Sequence, residues 1–172
     1  MVSEPKSCLP VLIVRLETAL TSLGDYFLCN GLKVNVTKFE LLAIGTRQNL
    51  RLLPKFTIKS RDISMVPRPE ARNLGVTFDQ HLNWDAHVST VSRKCCGLLV
   101  SLSHIRHYLP PEILPEIVTS LVLSHIRYCL VVYGCGSASN LRRLQQIINF
   151  AARVVSGKRR FDHVSGVLAA LG

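Results

Sequence analysis

Residues 84–109 read WDAHVSTVSRKCCGLLVSLSHIRHYL, and this stretch carries the clearest secondary-structure signal in the chain. Its apolar side chains recur at steps of three and four residues, the spacing of one face of an α-helix. The members of this stripe are Val88, Val91, Cys95, Leu98, Leu102, Ile105 and Leu109. The pattern therefore predicts a long amphipathic helix that buries one face in a hydrophobic core.

The sequence keeps a helical pattern after this stretch. Pro110 and Pro111 end the first helix and start another, because proline is tolerated in a first helical turn. That second helix is predicted to run to about Tyr133, where Gly134–Gly136 breaks it. A last short helix is predicted over Val164–Leu171.

A strongly amphipathic helix is predicted over Asn140–Ser156, between the helix that ends near Tyr133 and the last helix, which begins at Val164. Ser137 or Ser139 is suited to be its N-cap and Gly157 its C-cap. Its apolar face is expected to comprise Leu141, Leu144, Ile147, Ile148, Ala151, Val154 and Val155. This arrangement directs the arginines of the helix toward solvent or a ligand.

The chain before Trp84 has a mixed pattern. A helix is predicted over Val11–Cys29, a short buried strand over Phe39–Ile44, and a second strand over Leu74–Phe78. The prolines in residues 46–72 favour a ragged hairpin or meander between the two strands. The apolar face of the first helix is expected to hold Leu12, Leu16, Ala19, Leu20, Leu23 and Phe27.

This order of elements predicts an α+β fold. An N-terminal helix and a small antiparallel sheet precede a bundle of three to four helices, so helices and strands are segregated rather than alternating. The chain of 172 residues is expected to divide into residues 1–82, with the first helix and the strands, and residues 83–172, with the helical bundle.

Composition points to a partner of negative charge. The 21 lysines and arginines exceed the 11 acidic residues, giving a formal net charge of +10. A basic protein of this kind is expected to bind a polyanion. No targeting segment or membrane span is evident, and six cysteines without C-x-x-C spacing favour reduced, mostly buried thiols in an intracellular protein of the cytoplasm or nucleus.

The positive charge is concentrated in the last third of the chain. No acidic residue occurs between Ile117 and Phe161, a range that contains seven basic ones. Those between 142 and 160 are predicted to bind phosphates, namely Arg142, Arg143, Arg153, Lys158, Arg159 and Arg160. The alternative is a solvated helix face, and the lack of balancing acids favours nucleic acid.

No complete catalytic or metal-binding constellation is evident from the residues alone. The sequence has no P-loop, no G-x-S-x-G and no H-E-x-x-H motif. His104 and His107 follow Cys96 on one predicted helix, but their spacing does not match known zinc sites. No metal site is therefore predicted.

Four segments, in order, resemble the reverse transcriptases of non-LTR, LINE-type retrotransposons, with the Jockey-like branch as the nearest fit. Asn30–Glu40 (NGLKVNVTKFE) is similar to the family's N-x-L-x-x-N-x-x-K-[TS]-E segment, and Ala71–Asp79 (ARNLGVTFD) to its A-[RK]-x-L-G-V-x-x-D segment. Ser120–Cys129 is similar to a thumb-side helix of the family, and Leu144–Arg153 (LQQIINFAAR) to its following helix. The resemblance spans about residues 14–171.

The resemblance implies the end of a polymerase palm, over residues 1–82, followed by a helical thumb. Leu74, Gly75 and Val76 would correspond to the primer grip, and Lys38 to a palm lysine that can act as a general acid toward the leaving pyrophosphate. Phe39 departs from the family's Thr or Ser. The expected partners are RNA, an RNA–DNA hybrid duplex and the rest of the reverse transcriptase.

The resemblance also implies what this chain lacks. The family's catalytic aspartates, including a Y-A-D-D turn, hold two Mg²⁺ ions, and no Y-A-D-D occurs here. The chain is therefore expected to be a fragment of an RNA-directed DNA polymerase that needs no cofactor and is inactive alone. Two alternatives remain open: a non-catalytic module that binds nucleic acid or protein, and a decayed retroelement reading frame without function.

Overall fold

A computed structural model describes residues 8–61, 63–159 and 162–167. The described chain divides into two compact units. Unit 1 comprises the residues up to Gly75 together with Asp79–His81, and unit 2 comprises Val76–Phe78 together with the chain from Leu82 onward. The elements confirm the α+β class.

Unit 1 begins with helix α1 (Leu9–Cys29), which has Pro10 in its first turn. Asn30 follows as the C-cap, and its side-chain Nδ2 donates a hydrogen bond to the carbonyl of Tyr26 at 2.7 Å. Gly31 then turns the chain with a φ of +71°, in the region that glycine enters without strain. The predicted helix is confirmed with its start two residues earlier.

The strands of unit 1 are short. Strand β1 (Leu41–Leu42) pairs in parallel with β4 (Pro67–Arg68). Strands β2 (Ile58–Ser60) and β3 (Ile63–Met65) form an antiparallel pair with Ile58 opposite Met65. The expected single sheet is thus divided, and the predicted strand over Phe39–Ile44 contracts to two residues.

The predicted meander also contains a helix. Helix α2 (Arg47–Leu52) starts at Thr46, whose hydroxyl accepts a hydrogen bond from the backbone N–H of Asn49 at 3.3 Å. Strand β5 (Glu70–Asn73) follows β4 and pairs with β6 (Val76–Asp79). The predicted strand over Leu74–Phe78 was wrong in its first two residues, because Leu74 and Gly75 have positive φ angles of 47° and 85° and form the turn.

Helix α1 lies against β2, and this contact determines which face of α1 is packed. Glu17 accepts a hydrogen bond from the backbone N–H of Lys59 at 2.8 Å, and the hydroxyls of Thr21 and Ser60 are 2.9 Å apart. The packed face of α1 is therefore rotated about the helix axis relative to the face predicted from the sequence. Leu12, Leu16 and Leu23 are exposed, whereas the half-buried apolar side chains include Leu9, Ile13, Leu20 and Phe27.

Unit 2 is helical and contains the main hydrophobic core. Helix α3 (Asp85–Ile105) ends in a 3₁₀ turn (Arg106–Tyr108). The predicted single helix to Tyr133 is instead α4 (Ile113–Val118), a π-helical segment (Thr119–Leu123), α5 (Ser124–Arg127) and α6 (Leu130–Tyr133). Helix α7 (Ala138–Ser156) completes the unit.

The break between α5 and α6 has a clear local cause. Cys129 adopts a left-handed conformation with a φ of 54°, which interrupts the helical hydrogen bonds. The buried Tyr133 spans the break, since its hydroxyl donates a hydrogen bond to the carbonyl of Ile126. No glycine or proline lies at this point of the sequence, so local sequence does not predict the break.

The core of unit 2 is built mainly from α3, the segment from α4 to α5, and α7. Its fully buried side chains include Val88, Cys95, Leu99, Val118, Val122 and Ala152. The predicted stripe on α3 is confirmed from Val88 to Leu102, and Leu99 joins it, whereas Ile105 is 47% exposed and the prediction was wrong there. Residues 165–167 form a helical turn, and the remainder of the predicted helix over Val164–Leu171 extends beyond the described residues.

No helix within the described ranges has both the length and the apolar character needed to cross a membrane. The side chains of Cys8, Cys29, Cys96 and Cys135 are exposed. The expectation of mostly buried thiols was therefore wrong, because Cys95 is buried in the core and Cys129 is partly buried against it, whereas the other four are exposed.

Candidate nucleic-acid interface

Helix α7 is fixed at both ends by the residues expected to cap it. The hydroxyl of Ser137 accepts a hydrogen bond from the backbone N–H of Asn140 at 3.3 Å, so Ser137 is the N-cap. Gly157 ends the helix with a φ of +69°. These caps fix the helix register and therefore decide which side chains face away from the core.

Helices α3 and α7 pack against each other in parallel. At their starts, the side-chain amide of Asn140 donates hydrogen bonds to the carbonyl of Asn83 at 2.9 Å and to the carboxylate of Asp85 at 2.8 Å. At their ends, a Cβ on Gly157 would lie 3.4 Å from the terminal nitrogens of Arg106. Both helix C-termini are consequently at one end of unit 2.

The packed face of α7 differs from the predicted one in one important place. Leu144, Ile147, Ala151 and Val154 are buried, as expected. Leu141 is 45% exposed, and Asn140 takes its place in the core. Asn140 is polar, so the spacing of apolar residues does not predict its burial.

Arg142 and Arg143 lie on the solvent side of α7 and are both exposed. The neighbouring side chains Gln145 and Gln146 are exposed and uncharged. Within the described ranges, no carboxylate lies within ion-pair distance of either arginine. These two guanidinium groups are therefore available to an external anion.

Arg153 has a different environment from Arg142 and Arg143. It is half-buried, and its Nε atom is buried without a hydrogen-bond partner among the described groups. It lines a cavity with Arg106, His107, Lys158 and Phe150. The basic residues predicted as one surface thus divide between an exposed face and a recess.

The basic residues after α7 form a turn. The ammonium of Lys158 donates a hydrogen bond to the carbonyl of His163 at 2.7 Å, and the backbone N–H of Arg159 donates to the carboxylate of Asp162 at 2.7 Å. Both basic side chains are exposed. Arg160, the last of the predicted phosphate ligands, lies outside the described residues.

The three residues assigned to the primer grip have unequal access to a ligand. Leu74 is 81% exposed at the turn between β5 and β6, and Gly75 beside it is also exposed. Val76 is 3% exposed and belongs to the hydrophobic core. Only Leu74 and Gly75 therefore offer a surface to a nucleic-acid strand.

Lys38 lies on the surface in a 3₁₀ turn (Val36–Lys38) that Asn35 caps. The side-chain oxygen of Asn35 accepts hydrogen bonds from the backbone N–H of Thr37 at 3.1 Å and from its hydroxyl at 2.6 Å. The nearby Glu40 is engaged by Arg68 and by the backbone N–H of Arg72. Lys38 is exposed and holds no ion pair within the described ranges.

The buried titratable groups of unit 2 belong to its core. Burial, together with a smaller contribution from the adjacent Cys96, raises the pKa of Cys95 from 9.0 to about 11. Burial also raises the pKa of Tyr133 to about 12. A nucleophilic thiol needs a lowered pKa, so Cys95 has the wrong environment for that role.

The described ranges contain no cluster of three or more His, Cys, Asp or Glu side chains arranged to hold a metal ion. Comparisons with known protein families, with curated proteins and with solved structures return no significant match to this chain.

Proposed function

We propose that this protein binds the sugar–phosphate backbone of a nucleic-acid duplex through the exposed face of α7. The observation that carries this proposal is the pair Arg142 and Arg143, both exposed and without an ion pair among the described residues. Arginine donates paired hydrogen bonds to phosphate oxygens, and each neutralised phosphate releases condensed counterions. A surface of this kind binds duplexes with little preference for base sequence.

The resemblance to LINE-type reverse transcriptases makes an RNA–DNA hybrid the proposed ligand. In this proposal the helical unit acts as a thumb on a template–primer duplex. Leu74 and Gly75 support the primer strand, and Lys158–Arg160 extend the phosphate contacts beyond α7. The rest of a reverse transcriptase is the proposed protein partner, and it would supply the carboxylates that hold Mg²⁺.

Binding of a labelled RNA–DNA hybrid tests the proposal. We expect Arg142→Gln/Arg143→Gln to weaken binding at low salt by about tenfold or more, because two phosphate contacts are lost. The matched control is Arg47→Gln/Arg51→Gln on α2, which removes the same charge from two exposed arginines of unit 1. Equal losses in both double variants would show that net charge alone drives binding, and would refute the assignment to α7.

A primer-extension assay tests the polymerase part of the proposal. The sequence contains no Y-A-D-D turn, so the chain alone is expected to add no nucleotides to a primed template in the presence of Mg²⁺. Primer-extension activity that copurifies with the chain through several chromatography columns would contradict this expectation.

A further inference from the structure

A cavity of about 620 Å³ lies at the end of unit 2 where α3 and α7 terminate. It is lined by Ser103, Arg106, His107, Phe150, Arg153, Val154 and Lys158. This volume falls within the range of small-molecule binding sites. None of the lining residues is acidic.

The positive charge around the cavity exceeds what the two helix ends can balance. Arg106, Arg153 and Lys158 contribute three permanent positive charges. Each helix C-terminus is equivalent to about half a negative charge, so α3 and α7 together offset about one. No carboxylate within the described ranges forms an ion pair with these three residues. About two positive charges therefore remain for a ligand.

The hydrogen-bond donors of the lining residues are also incompletely used. The buried Nε of Arg153 has no partner among the described groups. Buried donors of this kind are rarely left without an acceptor in folded proteins. Lys158 uses one donor on the carbonyl of His163, which leaves two. The site thus combines surplus charge with unused donors.

The remaining lining is apolar. Phe150 is half-buried and lines the cavity together with Val154. A phosphate ion alone is much smaller than the cavity, so a ligand that fills it has an organic part as well. A flat heterocycle is suited to stacking on phenylalanine.

We propose that this cavity binds a nucleoside 5′-monophosphate group, with its phosphate among Arg106, Arg153 and Lys158 and its base against Phe150. A phosphate monoester carries a charge of about −1.5 to −2 at neutral pH, which matches the surplus positive charge. A phosphodiester within a strand carries only one charge. The group can therefore come from a free mononucleotide or from the phosphorylated 5′ end of a strand.

The site is separate from the exposed arginine pair. Arg142 and Arg153 are about 16 Å apart along α7, since each residue of a helix advances the axis by about 1.5 Å. Lys158 is assigned to both surfaces and is left unchanged in Arg142→Gln/Arg143→Gln, so the arginine pair can be altered without altering the cavity. Loss of duplex binding would leave this inference intact, and loss of nucleotide binding would leave the duplex proposal intact.

Equilibrium dialysis with radiolabelled AMP tests the proposal, with a 5′-phosphorylated and a 5′-hydroxyl single-stranded oligonucleotide as parallel probes. We expect saturable binding of AMP, or of the 5′-phosphorylated oligonucleotide over its 5′-hydroxyl counterpart. The first result identifies a free nucleotide as the source and the second a strand end. Failure of both AMP and the 5′-phosphate to bind would overturn the proposal.

Variants locate the binding site. Arg153→Gln is expected to weaken binding by about tenfold or more, because a charge-assisted hydrogen bond is lost. Lys158→Gln, which alters an exposed side chain and spares the core, is expected to weaken it several-fold. Phe150→Leu is expected to reduce the preference for AMP over inorganic phosphate. Arg51→Gln on α2 removes one exposed positive charge outside both proposed surfaces, serves as the matched control and is expected to bind AMP as the parent does.

Two results from these variants would overturn the proposal. The first is an equal loss in the control and in Lys158→Gln, which would indicate binding to general surface charge. The second is unchanged binding in both Arg153→Gln and Lys158→Gln. Circular dichroism of each variant establishes that it is folded, and Lys158→Gln keeps the test decisive if Arg153→Gln does not fold.

Discussion

At the scale of single residues, Asn140 connects the starts of the two long helices of unit 2. Its side chain is 2% exposed, and its amide donates to Asn83 and to Asp85. The carbonyl of Asn83 and the carboxylate of Asp85 would each lose a donor if the amide were removed. Truncation of Asn140 therefore removes two interactions and leaves a gap in the packing.

We expect Asn140→Ala to lower the free energy of unfolding by about 2 kcal/mol, because two hydrogen bonds of a buried group are lost. Urea denaturation measures this change. The control is Asn149→Ala on the same helix, where the amide oxygen accepts an exposed hydrogen bond from Gln145 at 3.0 Å. Its cost is expected to stay below about 1 kcal/mol. Equal costs would show that Asn140 does not connect the helices.

The buried thiol of Cys95 makes the stability of unit 2 decrease as the pH rises through the alkaline range. Its pKa rises from 9.0 to about 11 in the folded protein, so the unfolded chain loses this proton first as the pH rises. The free energy of unfolding is then fully retained below pH 9 and falls between about pH 9 and pH 11. Tyr133, with its pKa raised to about 12, acts in the same direction at higher pH.

Urea denaturation between pH 8 and pH 10.5, roughly the onset of this range, tests the effect. The decline in stability with pH is expected to be shallower in Cys95→Val than in the parent. Cys135→Ala, which removes an exposed thiol, is expected to decline as the parent does. Parallel declines in the parent and in Cys95→Val would contradict the role of Cys95.

The cavity around Arg153 is a part of the candidate site that the sequence does not predict. A helical projection places it on the same side as Arg142, and that projection predicts two exposed arginines. The fold instead brings Arg106, from the turn after α3, to the end of α7 and encloses Arg153 in a cavity. Arg106 has no periodic signal, and its approach to Gly157 is a tertiary contact that no local pattern encodes.

At the scale of elements, Gly97 within α3 and Gly157 at the C-cap of α7 differ in whether their backbone conformation accepts a side chain. Gly97 lies within α3 with open space where a Cβ would be placed. Gly157 has a φ of +69°, and its Cβ would approach Arg106. One position therefore gains from a side chain, while the other requires glycine.

We expect Gly97→Ala to stabilise the protein by about 0.5–1 kcal/mol, because alanine loses less backbone entropy in a helix. Gly157→Ala is expected to destabilise it by about 1 kcal/mol, because alanine is strained in the left-handed region. Thermal unfolding of the two variants measures both changes. A stabilised Gly157→Ala protein would show that this C-cap conformation is not maintained.

The elements also separate what local sequence encodes from what packing decides. The long helices α1, α3 and α7 were predicted because apolar periodicity is sustained over many turns in each. Helix α2 was missed because its six residues are too few to establish a period and only Thr46 signals its start. The division of the sheet was missed because strands of two to four residues carry little alternation.

Across the molecule, the stretch of unbalanced positive charge and the elements of the two proposed binding surfaces both lie mainly in the last third of the chain. The range from Ile117 to Phe161 has no acidic residue, and it supplies α7 and most of the cavity lining. The net charge of +10 and the positive stretch could be read from the sequence. The division of that charge between an exposed pair and a cavity could not, because it depends on which side of α7 packs against α3.

The salt dependence of the affinity for an RNA–DNA hybrid measures how many phosphate contacts Arg142 and Arg143 make. If Arg142 and Arg143 contact phosphates, a plot of log affinity against log salt has a steep negative slope in the parent. The slope in Arg142→Gln/Arg143→Gln is then less negative by about 1 to 2, at about 0.9 for each phosphate lost. Identical slopes in the parent and the double variant would show that this face of α7 does not bind nucleic acid.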